Sequence, residues 1–197
     1  MRHEEAGGED VPPLRVAVVI GSTREGRVGE KVGGWFTGLA GERTDLELAV
    51  VDLIDFDLPA RYPNRPTPRT EDFSRRIGRA DAFVIITPEY NRSFPASLKQ
   101  AIDCAYEEWQ TKPVAFVSYG HGSSGLYAVE QLRSVFTELH TVTLRNGIGL
   151  NLLAEGREER GREGWDGRDE EAHRMLDQLR WWGLALREAR AVRPYRS

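Results

Sequence analysis

The 197-residue chain is long enough for one large domain with a substantial core, and its hydrophobic content of 40% is ordinary for a globular protein. The formal net charge of −4 is small, which argues against nucleic acid or an acidic membrane surface as a partner. The single cysteine, Cys104, excludes an internal disulfide and favours a cytoplasmic compartment. No apolar run reaches membrane-spanning length, and residues 1–13 predict a disordered tail rather than a signal peptide. We therefore expect a single domain over residues 14–190.

The first predicted element is a strand over residues 14–20, followed directly by a polar turn. The strand residues are almost all apolar and four of them are β-branched, which is typical of a strand buried on both faces of a parallel sheet. Residues 21–29 are rich in glycine and carry Ser22, Arg24 and Arg27, and an apolar stripe over residues 28–39 predicts a helix behind them. Free N–H groups at a helix start, hydroxyls and guanidinium groups all bind phosphate well. We therefore expect a phosphorylated cofactor at this turn.

Two common phosphate-binding loops do not fit residues 21–29. The nucleotide P-loop requires a Lys followed by Ser or Thr, but Arg27 stands at the Lys position, six residues after Gly21, and no Lys-Ser/Thr pair is present. The dinucleotide fingerprint requires a glycine where Thr23 stands. An ordinary strand-to-helix turn, in which glycine and serine only shape the backbone, remains the alternative.

The other predicted strands and helices alternate along the chain. The strands are predicted at residues 46–51, 81–87, 112–118 and 141–144, the last either alone or extended by 148–152. The helices are predicted at residues 71–78, 95–106, 126–139 and 169–189. Residues 46–51 alternate in polarity, as in an edge strand. Four prolines between residues 52 and 70 predict an extended surface loop without a helix, and residues 155–169 predict a charged, glycine-rich loop.

Strands that alternate with helices predict a doubly wound α/β fold with a five-stranded parallel sheet and helices on both faces. Polar or glycine-rich loops follow the first, third and fourth strands, at residues 21–29, 88–94 and 119–125. In a sheet of order 2-1-3-4-5 these three loops meet at the carboxyl ends of the strands, where ligands bind in such folds. The sequence therefore predicts one ligand site built from three distant segments.

Three motifs carry a resemblance to a known family. They are GSTREGRVG after the first strand, TPEYNRSFPASLKQAID after the third and SYGHGSSG after the fourth. Together they resemble the NADPH-dependent FMN reductase family, which has a flavodoxin-like fold and includes quinone, azo-dye and chromate reductases. The similarity covers residues 14–152. One departure lies in the third motif, where many relatives have a glycine pair near its end but Gly125 is followed by Leu126 and His121 interrupts the glycines.

The resemblance implies which residues hold FMN. The residues expected at the phosphate are Ser22, Arg24, Arg27, Val28 and Gly29. Those expected along the isoalloxazine ring are Pro88, Glu89, Tyr90 and Asn91. Those expected at the pyrimidine end of the ring are Ser118, Tyr119, Gly120 and Gly122. The flavin carries the electron chemistry in such enzymes, so no catalytic side chain is expected.

The resemblance also implies an activity. We expect hydride transfer from NADPH or NADH to N5 of FMN, and then transfer of two electrons to a small acceptor such as a quinone in a ping-pong scheme. Three alternatives stay open at this point. They are a flavin reductase that supplies reduced FMN to a partner, a tailoring enzyme of a biosynthetic pathway, and a flavodoxin-like electron carrier without catalysis.

Several further residues have two interpretations each. His121 either faces the substrate or is a solvent-facing loop residue, and Trp109 either lines the site or caps the preceding helix. The other three histidines lack ligand-like spacing, so no metal site is expected. The apolar faces of the predicted helices 95–106 and 126–139, with Trp109 nearby, predict a homodimer or a dimer of dimers.

Overall fold

The computed structural model describes residues 11–59, 61, 63–153 and 165–196. The strands are β1 Leu14–Ile20, β2 Leu46–Asp52, β3 Ala82–Pro88, β4 Pro113–Gly120, β5 Val142–Thr143 and β6 Ile148–Asn151. The α-helices are α1 Gly29–Ala40, α2 Pro68–Arg79, α3 Ala96–Asp103, α4 Leu126–Glu138 and α5 Asp169–Val192, and short 3₁₀ helices cover Leu53–Asp55 and Asp166–Arg168. Residues 1–10 of the predicted tail and 155–164 of the predicted charged loop lie outside the described residues.

The sheet is parallel throughout, and its order β2-β1-β3-β4-β5 confirms the predicted flavodoxin-like topology. The fifth position is shared by two short strands, because both β5 and β6 pair with β4. β5 pairs with Pro113 and Val114 at the start of β4, and β6 pairs with Val117 to Gly120 at its end. The extension that the sequence left open is therefore present, with a break between the two segments.

Helices cover both faces of the sheet. Alternate residues of β1 enter opposite cores: Val16 and Val18 pack with α1 and α5, whereas Ala17 and Val19 pack with α2, α3 and α4. Because both faces are covered, the central strands are buried on both sides, which explains their continuous apolar sequence. The carboxyl ends of the strands are left for the loops.

The prediction that residues 52–70 contain no helix is wrong at both ends of the segment. A 3₁₀ turn follows β2 at once, and α2 begins at Pro68. Proline is tolerated at the first helical position because that residue's N–H would have no partner within the helix. Thr67 and Thr70 form a capping box, in which the Thr67 hydroxyl accepts from Thr70 N at 3.3 Å and the Thr70 hydroxyl accepts from Thr67 N at 2.9 Å.

Trp109 belongs to the core and does not line the site. Its ring is fully buried against Phe83 and Phe136, and its Nε1 donates to the carbonyl of Ile102 at 3.1 Å. It therefore caps the end of α3, which stops at Asp103 rather than at residue 106. The large apolar side chains of α3 and α4 are likewise buried or half-buried within the protomer, except for Leu126 and Tyr127 in the first turn of α4.

Candidate functional site

The three predicted loops meet around a cleft of about 690 Å³ at the carboxyl ends of β1, β3 and β4. We name them the first loop (residues 21–29), the second loop (88–94) and the third loop (119–125). The lining residues are Ser22, Arg24, Glu25, Gly26, Val28, Pro88, Glu89, Tyr90, Asn91, Tyr119, Gly120, His121 and Leu152. The topology thus brings together most of the residues expected to bind the cofactor. Arg27, Gly29, Ser118 and Gly122 are not among the lining residues.

The first loop ends in an open helix N-terminus. α1 begins at Gly29, and no side-chain hydrogen bond caps it. Gly26 adopts a left-handed φ of 66°, a conformation that favours glycine. A Cβ on Gly29 would lie 2.8 Å from the Tyr119 hydroxyl, so only glycine allows α1 to approach β4 this closely. The uncapped N–H groups and the positive end of the helix dipole favour an anion at this position.

The Arg27 side chain turns into the protein instead of into the cleft. Its two terminal nitrogens each lie 2.5 Å from a carboxylate oxygen of Asp52, and Nη1 also donates to the carbonyl of Ser22 at 2.7 Å. The hydrogen bonds that Arg27 donates to Asp52 are the largest influence on the guanidinium and raise its pKa. Arg24, by contrast, is exposed and lines the cleft.

The second loop contains a tight two-residue hairpin. Tyr90 and Ser93 exchange both backbone hydrogen bonds, at 2.8 and 2.9 Å. Asn91 and Arg92 at its tip have φ values of 50° and 64°, the left-handed pair that a type I′ turn requires. The Tyr90 hydroxyl lies 3.1 Å from Oγ of Ser22, which ties the second loop to the first. The hairpin therefore holds Tyr90 along one wall of the cleft.

Helix α4 holds this hairpin in place. Gln131 donates to the carbonyl of Arg92 at 2.8 Å and accepts from the Ser93 hydroxyl at 2.6 Å. The Arg92 guanidinium carbon lies 4.3 Å from the centre of the Tyr127 ring, a cation–π contact. Oε2 of Glu89 accepts a hydrogen bond from the backbone N–H of Tyr127 at 3.1 Å. The negative charge of Glu89 is also stabilised there by the positive N-terminal end of the α4 dipole. Neither Tyr127 nor Gln131 was singled out from the sequence, because their role depends on the packing of α4 beside the second loop.

The third loop is shaped by close backbone packing. A Cβ on Gly125, whose φ is 84°, would lie 2.5 Å from Cβ of Ser118. The Ser118 hydroxyl donates to the carbonyl of Ser124 at 2.8 Å, so this side chain supports the loop. The N–H of Gly122 donates to Oδ1 of Asn151 at 3.2 Å and ties the loop to β6. Asn151 lies beside Leu152, a lining residue that the sequence interpretation missed.

Tyr119 tests whether the residues of the cleft fit a bound ligand. Tyr119 is only 3% exposed, and its hydroxyl has no hydrogen-bond partner among the described residues. Burial raises the pKa of Tyr119 against a smaller lowering from the nearby Ser22 hydroxyl, so the phenol remains protonated. A buried donor without an acceptor, placed beside an uncapped helix N-terminus, fits an anionic group such as a phosphate.

Two negative observations apply to the described part of the chain. Among residues 11–59, 61, 63–153 and 165–196, no group of three or more His, Cys, Asp or Glu side chains could hold a metal ion. No helix in the same residues combines the length and apolar character that crossing a membrane requires.

Comparison with known proteins gives a consistent match. The model of the family described as NADPH-dependent FMN reductase matches residues 14–151. An NAD(P)H-dependent FMN reductase of Schizosaccharomyces pombe is 34% identical over 130 residues, which are 61% of this chain and 64% of that protein. A quinone reductase of Pseudomonas putida is 38% identical over 120 residues, which are 56% of this chain and 62% of that protein. The chain thus spans less than two thirds of the length of these two relatives.

A solved structure supports the fold over a larger part of the chain. The flavoenzyme NAD(P)H:(acceptor) oxidoreductase of Paracoccus denitrificans aligns with a TM-score of 0.73 and 25% sequence identity. The alignment covers 87% of this chain and 98% of that protein. The similarity therefore extends over nearly the whole of one protein of known structure.

Proposed function

Because the chain belongs to the NADPH-dependent FMN reductase family, we propose that it is an FMN-dependent NAD(P)H oxidoreductase that reduces a small acceptor such as a quinone. The observation that carries the proposal is the convergence of three loops on one cleft with an uncapped helix N-terminus and an unpaired buried phenol at one end. The names of the relatives, an FMN reductase and a quinone reductase among them, support the cofactor and the acceptor class.

The residues of the cleft suit the two ends of FMN. At the phosphate end, the N–H groups of the first loop, the Ser22 hydroxyl and the exposed Arg24 supply hydrogen-bond donors. Val28 and Gly29 would contribute through their backbone. Arg27 would act by shaping the loop, because its guanidinium is engaged by Asp52 and by the Ser22 carbonyl.

At the ring end, Pro88 to Asn91 and the third loop would lie along the isoalloxazine. FMN, when bound, supplies the hydride- and electron-transfer chemistry, and the protein supplies binding, orientation and electrostatics. Gly120 carries no side chain where a Cβ would lie 3.3 Å from Cβ of Glu89, so the second and third loops approach each other closely. Backbone N–H groups of the third loop would stabilise negative charge on the nearby edge of the ring.

The direct test is spectroscopic. Protein loaded with FMN is mixed with NADPH or NADH without oxygen, and the visible flavin band is followed. We expect either nucleotide to bleach the band and an added quinone to restore it, at rates far above those of free FMN in the same buffer. Failure of both nucleotides to bleach the band, in protein that does bind FMN, would favour an electron carrier over an enzyme.

We also propose that the protein is a homodimer, but for a different reason from the one inferred from sequence. Apart from Leu126, the apolar stripes of α3 and α4 pack within the protomer. Beside the second and third loops, however, Leu126, Tyr127 and Leu153 are exposed, and such surface apolar residues favour association. Light scattering at micromolar concentration should give about twice the 22.3 kDa mass of one chain. A monomer mass would remove this part of the proposal.

A cytoplasmic location is the last part of the proposal. Its support is the single cysteine, Cys104, a half-buried side chain at the end of α3. Burial raises the pKa of its thiol, which disfavours the reactive thiolate. Cell fractionation would check the location.

A further inference from the structure

Tyr119 belongs to the third loop by its backbone and to the first loop by its side chain. In the sheet, Tyr119 pairs with Pro88 of β3 and Leu150 of β6. Side chains alternate along a strand, and Ala115, Val117 and Tyr119 all enter the core beneath α1 and α5. The Tyr119 side chain therefore points away from α4 and towards α1.

The end of that side chain lies at the start of α1. A Cβ on Gly29, the first residue of α1, would be 2.8 Å from the Tyr119 hydroxyl. Ser22 and Arg27 of the first loop, and Tyr90 of the second, all lie close enough to influence the pKa of the phenol. The buried hydroxyl is thus placed beside the first loop and the first residue of α1, at the far end of the side chain from the third-loop backbone.

The hydroxyl has a proton to donate and no described acceptor. Burial raises its pKa, so it is a neutral donor at physiological pH. The Ser22 hydroxyl lies near enough to lower the pKa of Tyr119 against the effect of burial, and it is in hydrogen-bonding position with the Tyr90 hydroxyl at 3.1 Å. Arg27, two residues before Gly29, is paired with Asp52. A buried donor left unpaired costs stability, and an anion at the helix start would remove that cost.

We propose that the Tyr119 hydroxyl donates a hydrogen bond to the phosphate group of the bound cofactor, from the sheet side of the α1 N-terminus. This inference rests on the proposed function, because it takes FMN as the ligand. It differs from the role that the family resemblance implies, which places Tyr119 at the pyrimidine end of the ring. It also gives Gly29 a second role, since any side chain there would displace the hydroxyl.

The test compares two flavins that differ only in the phosphate. FMN and riboflavin are titrated into apoprotein, and binding is read from flavin fluorescence, for the native protein and for Tyr119→Phe. A hydrogen bond to a charged group predicts an FMN affinity that is lower by about tenfold to a hundredfold in the variant, with the riboflavin affinity changed by less than about twofold. Tyr106→Phe, which removes a phenol hydroxyl from an exposed residue after α3, should change neither affinity.

Thermal unfolding of the apoproteins supplies the second readout. Tyr119→Phe removes an unpaired buried hydroxyl, so its apoprotein should melt at the native temperature or above it. Equal weakening of both flavins would place Tyr119 at the ring and overturn the inference while leaving the proposed cofactor intact. A lower melting temperature with an unchanged ratio of FMN to riboflavin affinity would identify a structural bond to Ser22 and would also overturn it. If native protein binds neither flavin, the proposed function fails, and this inference fails with it.

Discussion

Arg27 lies inside the first loop, where its guanidinium joins the loop to the end of β2. The side chains of Arg27 and Asp52 are only 9% and 15% exposed, and the pair is bidentate. Asp52 also accepts from Ile54 N at 3.2 Å, so one carboxylate orders two segments. The sequence identified Arg27 as a residue of the phosphate loop, but its partner lies 25 positions away and no local pattern connects the two.

Substitution of Arg27 should weaken FMN binding through loss of loop order. Arg27→Ala leaves a largely buried carboxylate unpaired, and we expect a loss of about 2 kcal/mol in unfolding free energy, typical for hydrogen bonds to charged groups. FMN affinity should fall by about tenfold or more, because the loop that presents the N–H groups loses the Arg27 hydrogen bonds that order it. Urea unfolding and flavin titration measure the two effects.

Asp52→Asn distinguishes two roles of Arg27, ordering the loop and binding the phosphate directly through its charge. This variant keeps the Arg27 guanidinium but weakens its anchor. If Arg27 acts by bracing the loop, FMN affinity falls in Asp52→Asn as well. An unchanged or higher affinity in Asp52→Asn, beside a loss in Arg27→Ala, would show that the guanidinium binds the phosphate directly.

Among the elements, those with strong apolar patterns were the ones that the sequence predicted well. β1, β3 and β4 lie within two residues of their predicted bounds, since a strand buried on both faces needs a continuous apolar run. α2 was predicted three residues too short at its start, because four nearby prolines were interpreted only as helix breakers. Proline in the first turn, with a threonine before it, marks a helix start instead.

The capping box at the start of α2 should contribute measurably to stability. Thr67→Ala removes the hydroxyl that accepts from Thr70 N, and the usual cost of losing such a cap is about 1 kcal/mol. Thermal unfolding should show a fall of a few degrees, on the order of 2–4 °C for a chain of this size. Thr44→Ala, at an exposed threonine in the turn before β2, is the matched control and should change the melting temperature very little. Equal melting temperatures for the two variants would contradict the cap.

For the whole molecule, topology alone was enough to predict that the three loops of the candidate site meet. Parallel strands in the order 2-1-3-4-5 bring the three loops to one edge, and this follows from the alternation of strands and helices. The contacts within the site could not be predicted in the same way. The hydrogen bonds between Gln131 and the second loop, and the direction of the Tyr119 side chain, depend on how the helices and strands pack in three dimensions.

The opposite edge of the sheet shows the same dependence on packing. Asp81 precedes β3, and its side chain is 4% exposed. Arg15 of β1 donates to it from Nε and Nη2, both at 3.1 Å, and from its backbone N–H at 3.2 Å. Arg187 and Arg190 of α5 approach the same carboxylate at 3.5 and 3.8 Å. One buried carboxylate thus joins the sheet to the last helix.

Asp81 should make stability depend on pH in a defined window. Burial is the largest single influence and acts to raise its pKa, but the hydrogen bonds from Arg15 and the charges of Arg15 and Arg187 together outweigh burial and hold the pKa below the ordinary value. The charged form therefore stabilises the fold above the unfolded-state pKa of about 3.9, and this contribution is lost as pH falls through the lower folded-state pKa. Asp81→Asn should lower the unfolding free energy by about 2 kcal/mol near neutral pH.

The difference between native protein and Asp81→Asn should then shrink as the pH falls below about 4, because protonation removes the same charge from the native chain. Urea unfolding at a series of pH values measures this difference in unfolding free energy. Asp72→Asn is the control, since Asp72 pairs with exposed arginines on the surface of α2, and its effect should stay within about 0.5 kcal/mol. The contrary result is a difference in unfolding free energy between native protein and Asp81→Asn that stays constant from neutral to strongly acidic pH. That result would show that Asp81 contributes through its shape and not through its buried charge.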